Sequence, residues 1–194
     1  MTWERRCDEP DILFITNVWP HPEKPAYGTF IKASVEGLEA VGVRADVLFI
    51  RGYSGKIAYA VGALLVTALG MTRGRYTLVH SQGGETALVA RLYMRAPVIA
   101  SYLGSDLLAP NEGDWRLRAK CRVQSAAIRT HAVLMAATST KSHEMESVLP
   151  RRAQRRNSVI RDGIDLDKFV PSDRETARKR LGWRLGARIV LFAG

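Results

Sequence analysis

Asn157-Ser-Val-Ile-Arg-Asp-Gly-Ile-Asp-Leu-Asp-Lys-Phe-Val-Pro171 decides how this chain is organised. It leaves a β-prone run at Val159 and Ile160 and turns on Asp162-Gly163. Asp and Gly tolerate the left-handed backbone, so a short apolar run followed by this pair predicts a turn. The remainder is more specific than turn chemistry. Asp165 and Phe169 sit at fixed offsets from the turn, and Pro171 blocks any helix through it.

Upstream of this segment, apolar runs alternate with helical patterns. Residues 11–17 (Asp-Ile-Leu-Phe-Ile-Thr-Asn) form a continuous apolar run, as in a parallel strand covered on both faces. Further strands are expected at 46–50, 77–80, 97–102, 132–138 and 158–161. Helices are expected at 29–41, 55–72 with Ser54 as cap, 85–94, 115–129 capped by Asp114, and from Ser139 to about Leu149. Strict β-α alternation predicts an α/β fold, a Rossmann-like parallel sheet with helices on both faces. The expected strand order is 3-2-1-4-5-6. Ligands of such sheets gather beyond the carboxyl ends of the strands. That rule selects residues 17–28, 80–84, 103–106, 138–142 and 161–165.

The tail has a different character. Ser172-Asp-Arg-Glu175 predicts a capping box and a short helix to Leu181, stopped by Gly182. Residues 188–194 then read as a fresh buried strand ending in glycine, the first strand of a second domain that is cut short. The expected organisation is a domain over 1–170 and a hinge helix with that strand over 171–194.

The chain has 194 residues, 46% hydrophobic and 25% charged, enough for a substantial core. Cys7 and Cys121 fit neither a metal nor a disulfide spacing, and two free thiols point to the cytosol. The start lacks the apolar core of a signal peptide. The longest apolar stretch, 57–71, is about 15 residues against the roughly 20 of a spanning helix, and is expected to be a buried helix. The net charge of +10 suits an Arg-rich surface, anionic membranes or phosphorylated small molecules. Nucleic acid is disfavoured, because no zinc-finger spacing, RNP motif or recognition helix is present.

Several strand-end segments carry candidate chemistry. Tyr27-Gly28-Thr29-Phe30 opens the first helix, and a glycine there lets backbone N–H groups approach a phosphate. The G-x-G-x-x-G fingerprint is missing after the first strand, which disfavours a nicotinamide enzyme. In Leu103-Gly104-Ser105-Asp106, the Asp can accept from sugar hydroxyls or hold the loop. His80, at a strand end, is either a general base or a loop-orienting residue. Thr138-Ser139-Thr140-Lys141-Ser142 offers hydroxyls and one ammonium to an anionic acceptor, with Ser139 also reading as a plain N-cap. The spacing of acidic and histidine residues shows no metal cluster.

These segments resemble glycosyltransferase family 4. Thr-Asn-x-x-Pro followed by Pro-Ala-Tyr-Gly-Thr-Phe-Ile is similar to its first loop, and Leu78-Val79-His80 to its Leu-Val-His-x-His-x-Gly stretch with Gln82 in place of the second His. Gly104-Ser105-Asp106 is similar to its His-Gly-Ser-Asp loop, with Leu103 in place of that His. The stretch from Asp162 to Pro171 resembles the family's hinge signature. The resemblance implies one half of a GT-B two-domain enzyme: the N-terminal, acceptor-binding domain of a retaining hexosyltransferase. It implies Gly28 near the donor phosphate. It implies acceptor binding by Asn17, Tyr27, Thr29, Gly104, Ser105 and Asp106; the hydroxyl and ammonium chemistry of Ser139 and Lys141 adds these two as acceptor-binding candidates, and His80 and Asp106 are the candidate catalytic groups. Asp162, Gly163, Asp165 and Phe169 would form the hinge. The implied partners are a nucleotide-sugar donor, as substrate, and a sugar, lipid-linked or small polar acceptor. No cofactor and no metal are implied.

The alternative is a non-enzymatic, flavodoxin-like small-molecule binding module. Three expectations follow from the glycosyltransferase reading. The chain is inactive alone. Gly28→Val harms function with little effect on folding. The arginines at 118, 122 and 129, with those of 151–156, bind anionic membrane reversibly, making the protein cytoplasmic and membrane-peripheral.

Overall fold

A computed structural model describes residues 2–4, 11–52, 55–72, 76–108, 113–167 and 169–190. Cys7, Ser54 and residues 191–194 lie outside them, as does most of the strand expected at 188–194; residues 187–190 carry no regular structure. By contacts the chain divides into Met1–Asp162 and Gly163–Gly194.

The first unit is a Rossmann-like α/β layer structure. Its strands are β1 (Thr2–Glu4), β2 (Ile12–Thr16), β3 (Ala45–Phe49), β4 (Leu78–Gln82), β5 (Val98–Ser101), β6 (Ala137–Thr140) and β7 (Asn157–Val159). Its helices are α1 (Thr29–Ala40), α2 (Lys56–Thr72), α3 (Gly84–Ala90), α4 (Trp115–His131), α5 (His143–Ser147) and α6 (Arg151–Gln154). All five residues of β2 are buried, and they divide between the two faces of the sheet. Leu13 and Ile15 join the core beneath α2, α3 and α4 with Val66, Ala87 and Ile128. Ile12 and Phe14 pack with Ile31 and Val35 of α1. Burial on both faces is why the strand reads as an unbroken apolar run.

The sheet order is β1-β3-β2-β4-β5-β6-β7. This corrects the expected 3-2-1-4-5-6, since the third parallel strand, β4, lies beside β2 and not beside β3. Ile12 pairs with Ala45 on one side and Leu78 on the other. The outer edge of β3 is taken by β1, antiparallel, with Thr2 opposite Phe49. The parallel part therefore has the flavodoxin-like order, with its switch point between β3 and β4 on either side of β2.

Other expectations are corrected locally. The strand expected at 132–138 starts later, after a 3₁₀ turn over Ala132–Leu134. Ser139 is therefore inside β6, and Ser142 is the cap of α5, accepting from Met145 N at 3.2 Å. The helix expected to run to Leu149 stops at Ser147, and a separate helical turn, Arg151–Gln154, opens the arginine run. The helix expected at 85–94 ends at Ala90. The apolar helix α2 is not buried: Ile57 is 79% exposed and Leu64 73%, and only Gly62, Val66 and Gly70 are fully inside.

Gly28 is the N-cap of α1 at φ 79°. A Cβ there would lie 2.7 Å from the Val18 carbonyl and the Trp19 nitrogen. The expectation that Gly28→Val spares folding is thereby overturned, because both contacts are with backbone.

In the second unit, α7 (Arg174–Arg180) is capped by Asp173, which accepts from Glu175 N and Thr176 N. This displaces Ser172 from the capping role. Arg178 is buried, and its Nη2 donates to Ala187 O at 2.6 Å. Asp165 Oδ1 accepts from Asp167 N, and Asp165 O accepts from Phe169 N.

Candidate functional site

The loops that follow β2, β4 and β5 meet at the carboxyl end of the sheet, where α1 and α2 depart to opposite faces. They enclose a cavity of about 280 Å³ bordered by Asn17, Tyr27, Gly83, Glu85, Leu103, Ser105, Asp106 and Gln124. This is the place at which an open α/β sheet offers a ligand both depth and free backbone groups.

Asp106 ties two of these loops together. Its Oδ2 accepts from Gly84 N at 2.9 Å and Leu103 N at 3.2 Å; its Oδ1 accepts from Gly104 N at 2.9 Å and Leu107 N at 3.0 Å. The carboxylate thus satisfies backbone N–H groups that a tight turn leaves without carbonyl partners. Gly84 allows the start of α3 to pack against α4, because a Cβ there would lie 2.5 Å from Ile128 Cγ2. Asp106 is a loop-organising group at the rim.

A second polar cluster forms the wall. Glu85 accepts from the Tyr59 hydroxyl through Oε2 and from Gln124 Nε2 through Oε1. Asn17 Nδ2 donates to Tyr59 Oη at 2.9 Å and to Glu85 Oε2 at 3.4 Å. Burial, and then the Glu85 carboxylate, push the Tyr59 phenol well above its ordinary range, so it stays a neutral donor. The cluster joins β2, α2, α3 and α4 at one point. Sequence reasoning missed Tyr59 and Gln124, which lie inside long helices, and read Glu85 only as a helix start. Their signal, polar residues on helix faces that also carry core residues, becomes visible only once the helices are docked.

Of the residues singled out in the sequence, Asn17, Tyr27, Ser105 and Asp106 come together at the cavity. Gly104 stands just behind, as a donor to Asp106. Thr29 is exposed on α1, its Oγ1 3.5 Å from Ala26 O. Lys141 is paired with Asp162 at 2.6 Å, and Ser139 Oγ lies 2.6 Å from Ser101 Oγ. Neither borders the cavity.

His80 also sits apart from it. Its ring packs on Phe14 with centroids 4.4 Å apart, and its Nε2 is 2.8 Å from Ser101 Oγ. Burial, with a contribution from the Lys141 charge, lowers its pKa from 6.5 to about 4. At neutral pH the imidazole is uncharged in the folded chain and mostly uncharged in the unfolded one. As pH falls from about 6.5 to 4, the unfolded chain takes up a proton that the folded one refuses, so stability declines over that window by about 3 kcal/mol. His131, lowered by burial and Arg91, adds its own part. Urea titrations from pH 7 to 4.5 on His80→Gln should show a flatter acid decline than the parent. An unchanged slope would show that His80 charges freely in the fold.

Among the described residues, no group of three or more His, Cys, Asp or Glu is placed to hold a metal ion, and no helix is long and apolar enough to cross a membrane.

The chain is similar to proteins named D-inositol 3-phosphate glycosyltransferase. It is 31% identical over 133 residues to the one from Nocardioides sp., a match covering 62% of this chain and 28% of that protein. It is 31% identical over 134 residues to D-inositol 3-phosphate glycosyltransferase 1 of Catenulispora acidiphila, covering 64% and 32%. A 40-residue segment is 50% identical to the protein of that name from Geodermatophilus obscurus, covering 21% and 9%. Each match thus covers under a third of the relative's length. No protein-family model matches the chain. All of these relatives are named as glycosyltransferases.

Proposed function

We propose that this chain carries the acceptor-binding half of a retaining glycosyltransferase of the GT-B type. The observation that carries the reading is the similarity to glycosyltransferases over 133 residues. The cavity at the switch point of the sheet adds to it. Residues 1–170 form the acceptor domain, and 171–194 begin the passage to a donor domain, with Asp162, Gly163, Asp165 and Phe169 in the hinge. The relatives are named for a cyclitol phosphate, and a polyhydroxylated acceptor of that size suits a cavity of about 280 Å³.

In the reaction, an acceptor oxygen bonds to the anomeric carbon of a nucleotide-sugar as the bond from that carbon to the diphosphate oxygen breaks. The acceptor proton passes to the departing phosphate on the same face, and no cofactor takes part. Asn17, Tyr27 and Ser105 contact the acceptor, while Asp106 and the Glu85 cluster hold their loops. Gly28 lies toward the donor phosphate. Ser139 and Lys141 act from outside the cavity, and the protein works in the cytoplasm. The flavodoxin-like binding module remains compatible with the strand order but has no support from the relatives.

Calorimetric titration of the purified chain with D-inositol 3-phosphate, and with myo-inositol, tests this. Binding is expected for the phosphate, and Ser105→Trp, which fills the exposed rim, should weaken it by roughly tenfold or more while leaving the melting temperature unchanged. Turnover of a nucleotide-sugar by the chain alone should stay far below the roughly 1 per second of an ordinary enzyme. Absence of binding, or binding indifferent to Ser105→Trp, would remove the acceptor assignment.

A further inference from the structure

The amino end of the sheet carries a second cavity, of about 380 Å³. Separate connections build it. Arg91, Met94 and Arg95 come from the turns after α3, and Pro97 leads into β5. Leu134 ends the 3₁₀ turn before β6, and Arg156 stands just before β7. The candidate acceptor cavity lies beyond the opposite, carboxyl ends of the strands, and the two share no bordering residue.

Among the described residues, the charge at this cavity has one sign. Three guanidinium groups border it and no carboxylate does. The side chains of Arg91 and Arg95 have neither a hydrogen-bond nor an ion-pair partner among the described residues. Arg156 is fixed by one bond, from Nη2 to Val133 O at 2.8 Å, which leaves its remaining N–H donors for a ligand. A cation just past a helix complements the helix dipole, and that accounts for Arg91 after α3. It does not account for Arg95, which lies more than a turn beyond Ala90, or for Arg156, which is turned to Val133. Like charges gathered at one cavity repel, unless an anion is shared between them.

We propose that this cavity binds a nucleoside phosphate, with phosphate oxygens on Arg91, Arg95 and Arg156 and the base against Met94, Pro97 and Leu134. Guanidinium groups hold phosphate oxygens through paired hydrogen bonds, and their planes stack on flat rings. Met94 is 82% exposed and Leu134 56%, so the apolar part of the wall is open to a ligand. A bare phosphate would leave that wall in water, and a purely apolar molecule would leave the arginines without an anion. Both parts together select a ligand that carries both. The volume falls within the range of about 300–1,000 Å³ typical of small-molecule sites. The site is remote from the candidate acceptor cavity, so the proposal stands apart from glycosyl transfer.

The test is calorimetric titration of the full chain with ADP, diphosphate and adenosine at constant ionic strength. ADP is expected to bind about tenfold or more tightly than either part alone. Arg95→Glu and Leu134→Ser, both at exposed positions, should keep the parent melting curve. Arg95→Glu should weaken ADP and diphosphate by roughly tenfold or more. Leu134→Ser should weaken ADP by roughly threefold or more and leave diphosphate unchanged. Arg118→Glu makes the same change of charge at an exposed position of α4, and Ser105→Trp alters the other cavity; both should bind ADP as the parent does. Absence of ADP binding would overturn the proposal. So would equal losses on Arg118→Glu and Arg95→Glu, which would reduce the binding to net charge. A loss on Ser105→Trp would move the nucleotide to the acceptor cavity, and diphosphate binding as tight as ADP would remove the nucleoside; either result would also overturn it.

Discussion

Asp106→Ala is expected to lower the free energy of unfolding by about 3 kcal/mol and to abolish ligand binding at the cavity. The side chain accepts from Gly84 N, Leu103 N, Gly104 N and Leu107 N. A neutral hydrogen bond contributes about 1 kcal/mol net and one to a charged group more, but the site is only partly buried and water can replace some of the loss. For a domain of this size, such a change corresponds to a fall in melting temperature of about 6–12 °C. Asp106→Asn should do nearly as badly. Each carboxylate oxygen serves two donors, so an amide would set its own NH₂ against two backbone N–H groups. Thermal melts of both variants, beside calorimetric binding, separate this from a catalytic role. An Asn variant with parent stability and no function would make Asp106 a reacting group, against its assignment here.

Gly28→Val should be the most damaging single substitution outside the core. The left-handed φ of 79° costs a side chain about 1–2 kcal/mol, more for a branched one. The Cβ would also lie 2.7 Å from the backbone of Val18 and Trp19. Relief requires parting the loop after β2 from the start of α1, where Trp19 is buried. A loss of about 3 kcal/mol or more is expected, read as a shift in the urea midpoint at unchanged slope. Gly28→Ala should move in the same direction by less. Function and stability should fall together; a parent-like midpoint would show that the loop yields freely.

The strands were legible because burial on both faces leaves an unbroken apolar run, as in Ile12–Thr16. Their order was not, because it depends on which edge of β3 is already occupied. Thr2–Glu4 occupies that edge through backbone pairing, and such pairing leaves little imprint on side-chain pattern. The misreading of α2 has a related cause. Its apolar residues encircle the helix, so composition suggested burial while the sheet covers only one side. Among site residues, Asn17, Ser105 and Asp106 were found by the rule of strand ends. Tyr59 and Gln124 reach the wall from mid-helix positions far away in sequence. The cap of α5 was missed by three residues because two serines compete for it, and the length of β6 selects the second.

The placement of β2 between β3 and β4 also bears on synthesis of the chain. One edge of β2 can pair as soon as Phe49 is available, whereas the other must wait for Gln82. At about 5–20 residues per second, the intervening 30 or so residues take about 2–6 s. Through that interval a strand that is apolar but for Thr16 presents an unpaired edge as it leaves the ribosome, which gives a defined window in which that edge is open to pairing with another chain.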